Sequence, residues 1–238
     1  MKIDILVFGA HPDDVELGCA GTILLQKSLG YNIGVIDLTR GELGTRGSVE
    51  TRDQEATKAA QALGLTFREN LGFEDGFFAN NQANKIELIK RIRYYQPNIV
   101  LCNAKRDRHP DHVRAAQLVY EACFLSGLEK ITTTWNGMGQ NPFRPNLLYN
   151  YVQYDDVKPD FIVDISKFMD QKMRIIKLYR SQFYNPNSTE SKTLISKKNF
   201  LELVVNRSAD LGRFIDSDYA EGFCVNRYLG VDDLFKLM

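Results

Sequence analysis

Cysteine is scarce in this chain and histidine scarcer. Cys19, Cys102, Cys123 and Cys224 stand far apart in 238 residues, and no Cys-x-x-Cys pair occurs. That spacing excludes a disulfide framework and a thiolate zinc site, and it fits free thiols in a reducing cytoplasm. No apolar stretch approaches the length needed to span a bilayer. The start, Met1-Lys2-Ile3-Asp4-Ile5, is charged too soon for a secretory signal. Neither sign of charge is in excess, because 30 Lys plus Arg balance 30 Asp plus Glu. No global field therefore argues for nucleic acid or a membrane surface as partner. Repeats, low-complexity tracts and linkers are also missing, so a single domain over 1–238 is expected. What is present, 44% hydrophobic and 25% charged residues, is the make-up of an ordinary globular protein with one substantial core.

The three histidines are placed unevenly. His11 lies in Ala10-His11-Pro12-Asp13-Asp14-Val15-Glu16-Leu17-Gly18, between an apolar run from Ile3 to Phe8 and a helical pattern from Val15 to Leu29 closed by Gly30. His109 and His112 lie in His109-Pro110-Asp111-His112, after an apolar run from Asn98 to Cys102 and before a helix from about Asp111 to Leu125. Both clusters thus sit where a strand hands over to a helix. A reading without chemistry makes Asp13 or Asp14 a helix cap and His11 a satisfied turn residue. Two such clusters in a chain with three histidines argue against it.

Between them, Asn32 to Leu38 reads as a strand. The glycine-rich loop Thr39–Ser48 is neither a Gly-x-Gly-x-x-Gly fingerprint nor a P-loop. Ser48 caps a helix from Val49 to Leu63 that Gly64 ends, and Thr66 to Leu71 is a third strand. Ile86, Ile89, Ile92 and Tyr95 form a core-facing stripe on a helix stopped by Pro97. This alternation predicts an α/β fold with a Rossmann-like, doubly wound, mostly parallel sheet in the order 3-2-1-4. Strands one and four are then neighbours at the point where winding reverses, and both histidine turns flank one crevice. Further on, Leu147–Val152, Phe161–Asp164 and Gly222–Tyr228 read as strands, with Ser166–Tyr179 and Lys198–Leu211 as helices and a short helix at the end. Ile131–Pro145 reads as a long loop, the kind that beside a site serves as a lid or a binding surface.

His11, Asp13, Asp14, His109, Asp111 and His112 are candidates for a site of two histidines, one carboxylate and an open water position, suited to Zn²⁺ and also to Fe²⁺, Co²⁺ or Mn²⁺. Spacing alone does not choose among the six. A bound ion, a carboxylate base and an imidazole beside the substrate oxygen form a set that hydrolyses an amide.

Ala-His-Pro-Asp-Asp near the start with His-Pro-Asp-His after the fourth strand resembles the zinc-dependent LmbE/PIG-L-type N-deacetylases. Thr39-Arg40-Gly41-Glu42, Thr51-Arg52-x-x-Glu55 and Tyr219-Ala220-Glu221-Gly222-Phe223 extend the resemblance over most of the chain. It implies His11, Asp14 and His112 as metal ligands, Asp13 as general base and His109 as the oxyanion-stabilising imidazole. Asp111 is implied as the group that orients His109 and raises its pKa, with Arg52, Arg108 and Glu42 binding substrate. The branch that deacetylates N-acetylglucosaminyl malate in bacillithiol synthesis is most similar, which implies a sugar substrate and a homo-oligomer. Arg40, Arg46, Arg52, Lys105, Arg106 and Arg108 are expected to form a basic rim for the malate carboxylates. A general N-acetylglucosamine or chito-oligosaccharide deacetylase and a thiol-conjugate amidase are the alternatives within the family.

Rival classes fit less well. A dinucleotide oxidoreductase could use Asp37 on the ribose, yet His11-Pro12-Asp13-Asp14 puts acids where a pyrophosphate needs glycines. A two-metal phosphoesterase needs a bridging carboxylate and more ligands. A non-catalytic metal module has no use for Asp13 and His109.

Overall fold

The computed structural model describes residues 2–236, and its elements follow the apolar pattern closely. In chain order the strands are β1 (Ile5–Gly9), β2 (Ile33–Thr39), β3 (Phe67–Phe73), β4 (Ile99–Cys102), β5 (Thr134–Trp135), β6 (Met138–Gly139), β7 (Leu147–Tyr151), β8 (Phe161–Asp164) and β9 (Ala220–Val225). The α-helices are α1 (Asp14–Ser28), α2 (Val49–Leu63), α3 (Gln82–Tyr95), α4 (Pro110–Leu125), α5 (Met169–Ile176) and α6 (Phe200–Gly212). One seven-stranded sheet runs β3-β2-β1-β4-β7-β9-β8. From β3 to β7 every pairing is parallel, and β9 is antiparallel to both its neighbours.

Alternation along β1 divides the core between the two faces of the sheet. Ile5 and Val7 pack with Ile23 of α1, Ala59 of α2 and Ile176 of α5. Leu6 and Phe8 pack with Leu88 and Ile92 of α3 and Leu118 and Val119 of α4. Both faces are therefore covered, which is why β1 and β2 are buried along their whole length. Helix α2 has the predicted limits: Ser48 Oγ accepts from Thr51 N, and Gly64 ends the helix at φ 66°.

Helix α1 is broken at Cys19 (φ −148°, ψ 19°). Gly18 permits the break's close approach, since a Cβ there would meet the Tyr151 ring at 2.3 Å. Lys172 Nζ donates to Leu17 O at 3.0 Å, the carbonyl left over before the break. Glu221 accepts from Gly21 N at 2.9 Å and Thr22 N at 2.7 Å, the amides freed after it. Lys172 and Glu221 also pair with each other at 2.7 Å, both buried. One ion pair thus caps both half-helices.

Three segments differ from the sequence reading. Ile131–Pro145 is not a lid: it holds the β5–β6 hairpin, turned by Asn136 and Gly137 at positive φ. Arg93 ties this segment to the end of α3 through Ile131 O, Thr133 Oγ1, Ser126 O and Leu128 O, and Trp135 stacks on Tyr94 at 4.8 Å. Ile3 N bonds Tyr95 O nearby, so the hairpin lies at the amino edge of the sheet, away from the histidines. The helix expected over Ser166–Tyr179 is a 3-10 turn (Ser166–Phe168) followed by the shorter α5. The expected terminal helix is a 3-10 turn from Leu234 to Lys236, beyond which Leu237 and Met238 lie outside the described residues.

Candidate functional site

The turns after β1 and β4 meet, as strand neighbours must when their carboxyl ends share one edge. Ring centroids of His11 lie 4.7 Å from His109 and 5.6 Å from His112, and His109 and His112 are 5.0 Å apart. Backbone geometry explains the first turn. Asp13 sits at φ 123°, a region that favours glycine, and its side chain makes no capping bond. The helix-cap reading of Asp13 therefore fails, and the turn is held instead by Asp14 Oδ2, which accepts from His11 N at 2.9 Å.

Asp14 is the hub. Its Oδ1 lies 3.0 Å from His112 Nε2, and its Oδ2 lies 3.4 Å from His11 Nδ1. Asn103 Nδ2 and Gln153 Nε2 each donate to it at 3.0 Å. Each of those histidines uses its other nitrogen on an outer carboxylate. His112 Nδ1 is 2.9 Å from Asp107 Oδ1, while His11 Nε2 is 3.0 Å from Asp75 Oδ1 and 3.3 Å from Asp111 Oδ2. This is the arrangement of imidazole ligands whose far nitrogens are anchored by carboxylates. Nitrogens of all three histidines lie within 4.8 Å of one another, but among the described residues no carboxylate anchors His109 in this way. Its Nδ1 accepts from Asp111 N at 3.3 Å, capping α4.

The electrostatics follow from these contacts. Burial disfavours charge on His11, yet bonds to Asp111, Asp14 and Asp75 hold its pKa well above the usual histidine value. Burial acts the same way on His112, where Asp14 and Asp107 prevail and raise it to about 9. Asp14 is held well below the carboxylate range, its burial outweighed by His112 and His11. Asp13 goes the other way. Its burial dominates, Arg52 opposes, Asp14 adds repulsion, and the carboxyl is pushed up to about 7. His109 is lowered by burial and by the neighbouring His11 and His112. The buried donor set, two imidazoles turned toward the Asp14 carboxylate, suits a divalent cation in place of the protons they share with it. Its oxygen and nitrogen donors leave the choice of metal open.

Several sequence expectations change here. The carboxylate of Asp111 does not orient His109. Gly76 N (2.8 Å) and Arg114 turn it toward His11, and only its backbone amide reaches the His109 ring. Nor is the pKa of His109 raised. Glu42 is exposed and accepts from Asp75 N at 2.8 Å, so it braces the Asp75 loop and does not line the cavity. Arg52 is buried, donating to Pro12 O at 2.6 Å and Gly41 O at 3.3 Å, with Asp13 Oδ2 at 3.4 Å. Gly41 has φ 66°, and a Cβ there would lie 1.8 Å from the Arg52 guanidinium, so only glycine admits this pin.

The basic rim disperses. Arg40 pairs with Asp53, Arg46 is buried against Ser181 O, Lys105 bonds Val225 O, and Arg106 faces Asp155. Each satisfies a local partner, and only Arg52 and Arg108 of the six line the cavity of about 870 Å³ that opens on the cluster. Asp75, Asn103, Asp107 and Gln153 were not singled out from sequence. Asn103 and Asp107 carried a signal, since both fall in the polar run after β4. The cavity extends from the histidines beneath α6, past Leu17, Gly18, Phe200 and Leu203. Among the described residues no helix is long and apolar enough to cross a membrane.

Known proteins share this site's scaffold. Residues 6–123 match the family described as PIG-L, GlcNAc-PI de-N-acetylase. A diacetylchitobiose deacetylase of Thermococcus kodakarensis is 30% identical over 189 residues, covering 75% of this chain and 70% of the relative. A probable N-acetyl-alpha-D-glucosaminyl L-malate deacetylase 2 of Bacillus anthracis is 23% identical over 192 residues, covering 75% and 81%. The conserved protein TT1542 from Thermus thermophilus superposes with a TM-score of 0.84 at 37% identity, over 96% of this chain and 97% of that one. The chain belongs to the PIG-L/LmbE family.

Proposed function

We propose that this protein is a metal-dependent N-deacetylase of N-acetylglucosamine glycosides, with N-acetylglucosaminyl malate as the preferred substrate. The deacetylase activity and its N-acetylglucosamine-type substrates follow from the family. The observation that carries the site assignment is the hub at Asp14, flanked by two imidazoles whose far nitrogens rest on carboxylates. His11, Asp14 and His112 would hold the ion, with zinc the first candidate. When bound, the ion supplies Lewis acidity toward the acetyl carbonyl and the attacking water.

The protein's own groups perform the proton transfers. Asp13, buried beside this cluster, accepts a proton as water adds to the acetyl carbon. His109 accepts at Nδ1 from Asp111 N, so the neutral ring carries its proton on Nε2 and can donate it as a hydrogen bond to the oxyanion. As the C–N bond breaks, Asp13 returns its proton to the departing amine, leaving acetate and glucosamine glycoside. Arg52 keeps Asp13 and the Pro12 carbonyl in place. The malate preference draws on the Bacillus anthracis relative, and a chito-oligosaccharide preference draws on the Thermococcus kodakarensis one. Acetate release from both substrate types, after chelation and reloading with each divalent ion, tests the reading. No release with any ion and any N-acetylglucosaminide contradicts it.

A further inference from the structure

Helix α6 carries one residue that its own pattern does not explain. Phe200, Leu203, Val204, Arg207, Ser208 and Leu211 recur at helical spacing, and all line the cavity. On this largely apolar face, between Val204 and Leu211, stands a guanidinium. Its Nη2 donates to Asp155 O at 2.6 Å, and it forms no ion pair among the described residues. Two of the three nearby acids are engaged elsewhere, and the third, Asp156, is exposed at the cavity's edge and forms no ion pair with Arg207 among the described residues. Asp107 Oδ1 serves His112 Nδ1 and His109 N, Asp107 Oδ2 accepts from Tyr154 N, and Asp155 faces Arg106. Burial pulls Arg207's pKa below the usual arginine value, with Asp107, Asp156 and Asp155 only opposing that shift. A guanidinium has five N–H donors, and the one bond to Asp155 O leaves most of those of this half-buried cation open to a ligand. Arg108, 4.9 Å above the Tyr154 ring, is a second cation lining the cavity.

We infer that Arg207 sets substrate specificity, pairing with an anionic group, carboxylate or phosphate, on the aglycone of the sugar. Val204 and Leu211, both half-buried, flank that pair and shield it in part, which strengthens it. The anion contact thus lies under α6 and not among Arg40, Arg46, Lys105 and Arg106 of the expected rim. This inference rests on the deacetylase reading above.

The test compares N-acetylglucosaminyl malate, N-acetylglucosamine 1-phosphate and the neutral methyl N-acetylglucosaminide. Acetate release is measured with the zinc-loaded wild type, Arg207→Met and Arg207→Lys. The wild type should favour one anionic glycoside over the methyl glycoside by about 10–100-fold in kcat/KM. Preference for malate identifies a carboxylate, and preference for the 1-phosphate identifies a phosphate. In Arg207→Met the ratio should collapse toward one, chiefly through KM, while Arg207→Lys retains part of it. Equal kcat/KM for all three glycosides in the wild type overturns the inference. So does a loss in Arg207→Met that strikes neutral and anionic substrates alike, because that is the signature of damaged packing. If no glycoside is turned over, the deacetylase reading fails, and unfolding temperatures decide about Arg207 separately. The malate or phosphate glycoside should then raise the Tm of the wild type more than the methyl glycoside does, and Arg207→Met should erase the difference. No difference in the wild type overturns the inference.

Discussion

Each histidine of the site is defined by what its second nitrogen touches. His112 Nδ1 rests on Asp107, and that carboxylate is held near a pKa of about 2, its burial outweighed by His112 and the His109 amide. Asp107→Ala should therefore weaken metal binding by about 10–100-fold while leaving the three ligands in place. A competition titration against a chelator measures this, and an unchanged affinity would show that Asp107 plays no part in fixing His112. His109 differs because its Nδ1 caps α4. In His109→Asn the shorter side chain can still cap, but the imidazole donor is gone. Turnover should fall about 10²–10³-fold with metal content and Tm near the wild type. Retained turnover would remove His109 from the chemistry. The motif residues were legible in sequence because His, Asp and Asp crowd two strand ends. Asp75 was not, since nothing local distinguishes it from a surface acid in Gly72-Phe73-Glu74-Asp75-Gly76. Only the fold brings its carboxylate to His11. Asp111 was legible as a site residue but not in its contact, which depends on where Gly76 N and Arg114 lie.

At the scale of elements, apolar runs flanked by Ser, Gly and Pro read correctly, and α2 is the clearest instance, with Ser48 and Gly64 at its ends. The broken α1 did not read. Val15 to Leu29 looks continuous, because the break is imposed by Tyr151 against Gly18 and by partners from α5 and β9. Lys172 and Glu221 are each buried and each neutralise the other. Glu221→Ala strands the Lys172 ammonium together with two helix amides and should cost about 3–5 kcal/mol of stability. Replacing both by apolar residues removes the stranded charge, so Lys172→Met with Glu221→Leu should cost less than Glu221→Ala alone. Urea unfolding of the wild type and both variants checks the order. A double variant less stable than the single one would mean the pair matters for more than charge balance. The Ile131–Pro145 segment misled for a related reason: a loop's length is visible in sequence, but which edge of the sheet it visits is set by Arg93 and Tyr94.

Across the whole molecule, the candidate site is built on one edge of one sheet. Strands β1 and β4 are adjacent, and the turns they release supply all three histidines and Asp13 and Asp14. The 3-2-1-4 order was readable from alternation of strand and helix. The strands after β7 were not assignable to positions, because β9 enters antiparallel between β7 and β8. That late insertion brings Glu221 to α1 and closes the cavity beneath α6, where Arg207 stands. We propose that Asp13 and Asp14, adjacent in sequence, have separate duties: Asp14 would hold the metal, and Asp13 would move the proton. Metal content and acetate release measured together on Asp13→Asn and Asp14→Ala separate the two duties. Asp13→Asn should keep one equivalent of metal and lose most turnover, since an amide cannot take the proton. Asp14→Ala should lose metal and turnover together. Full metal content in Asp14→Ala, or loss of metal in Asp13→Asn, would contradict the division of roles.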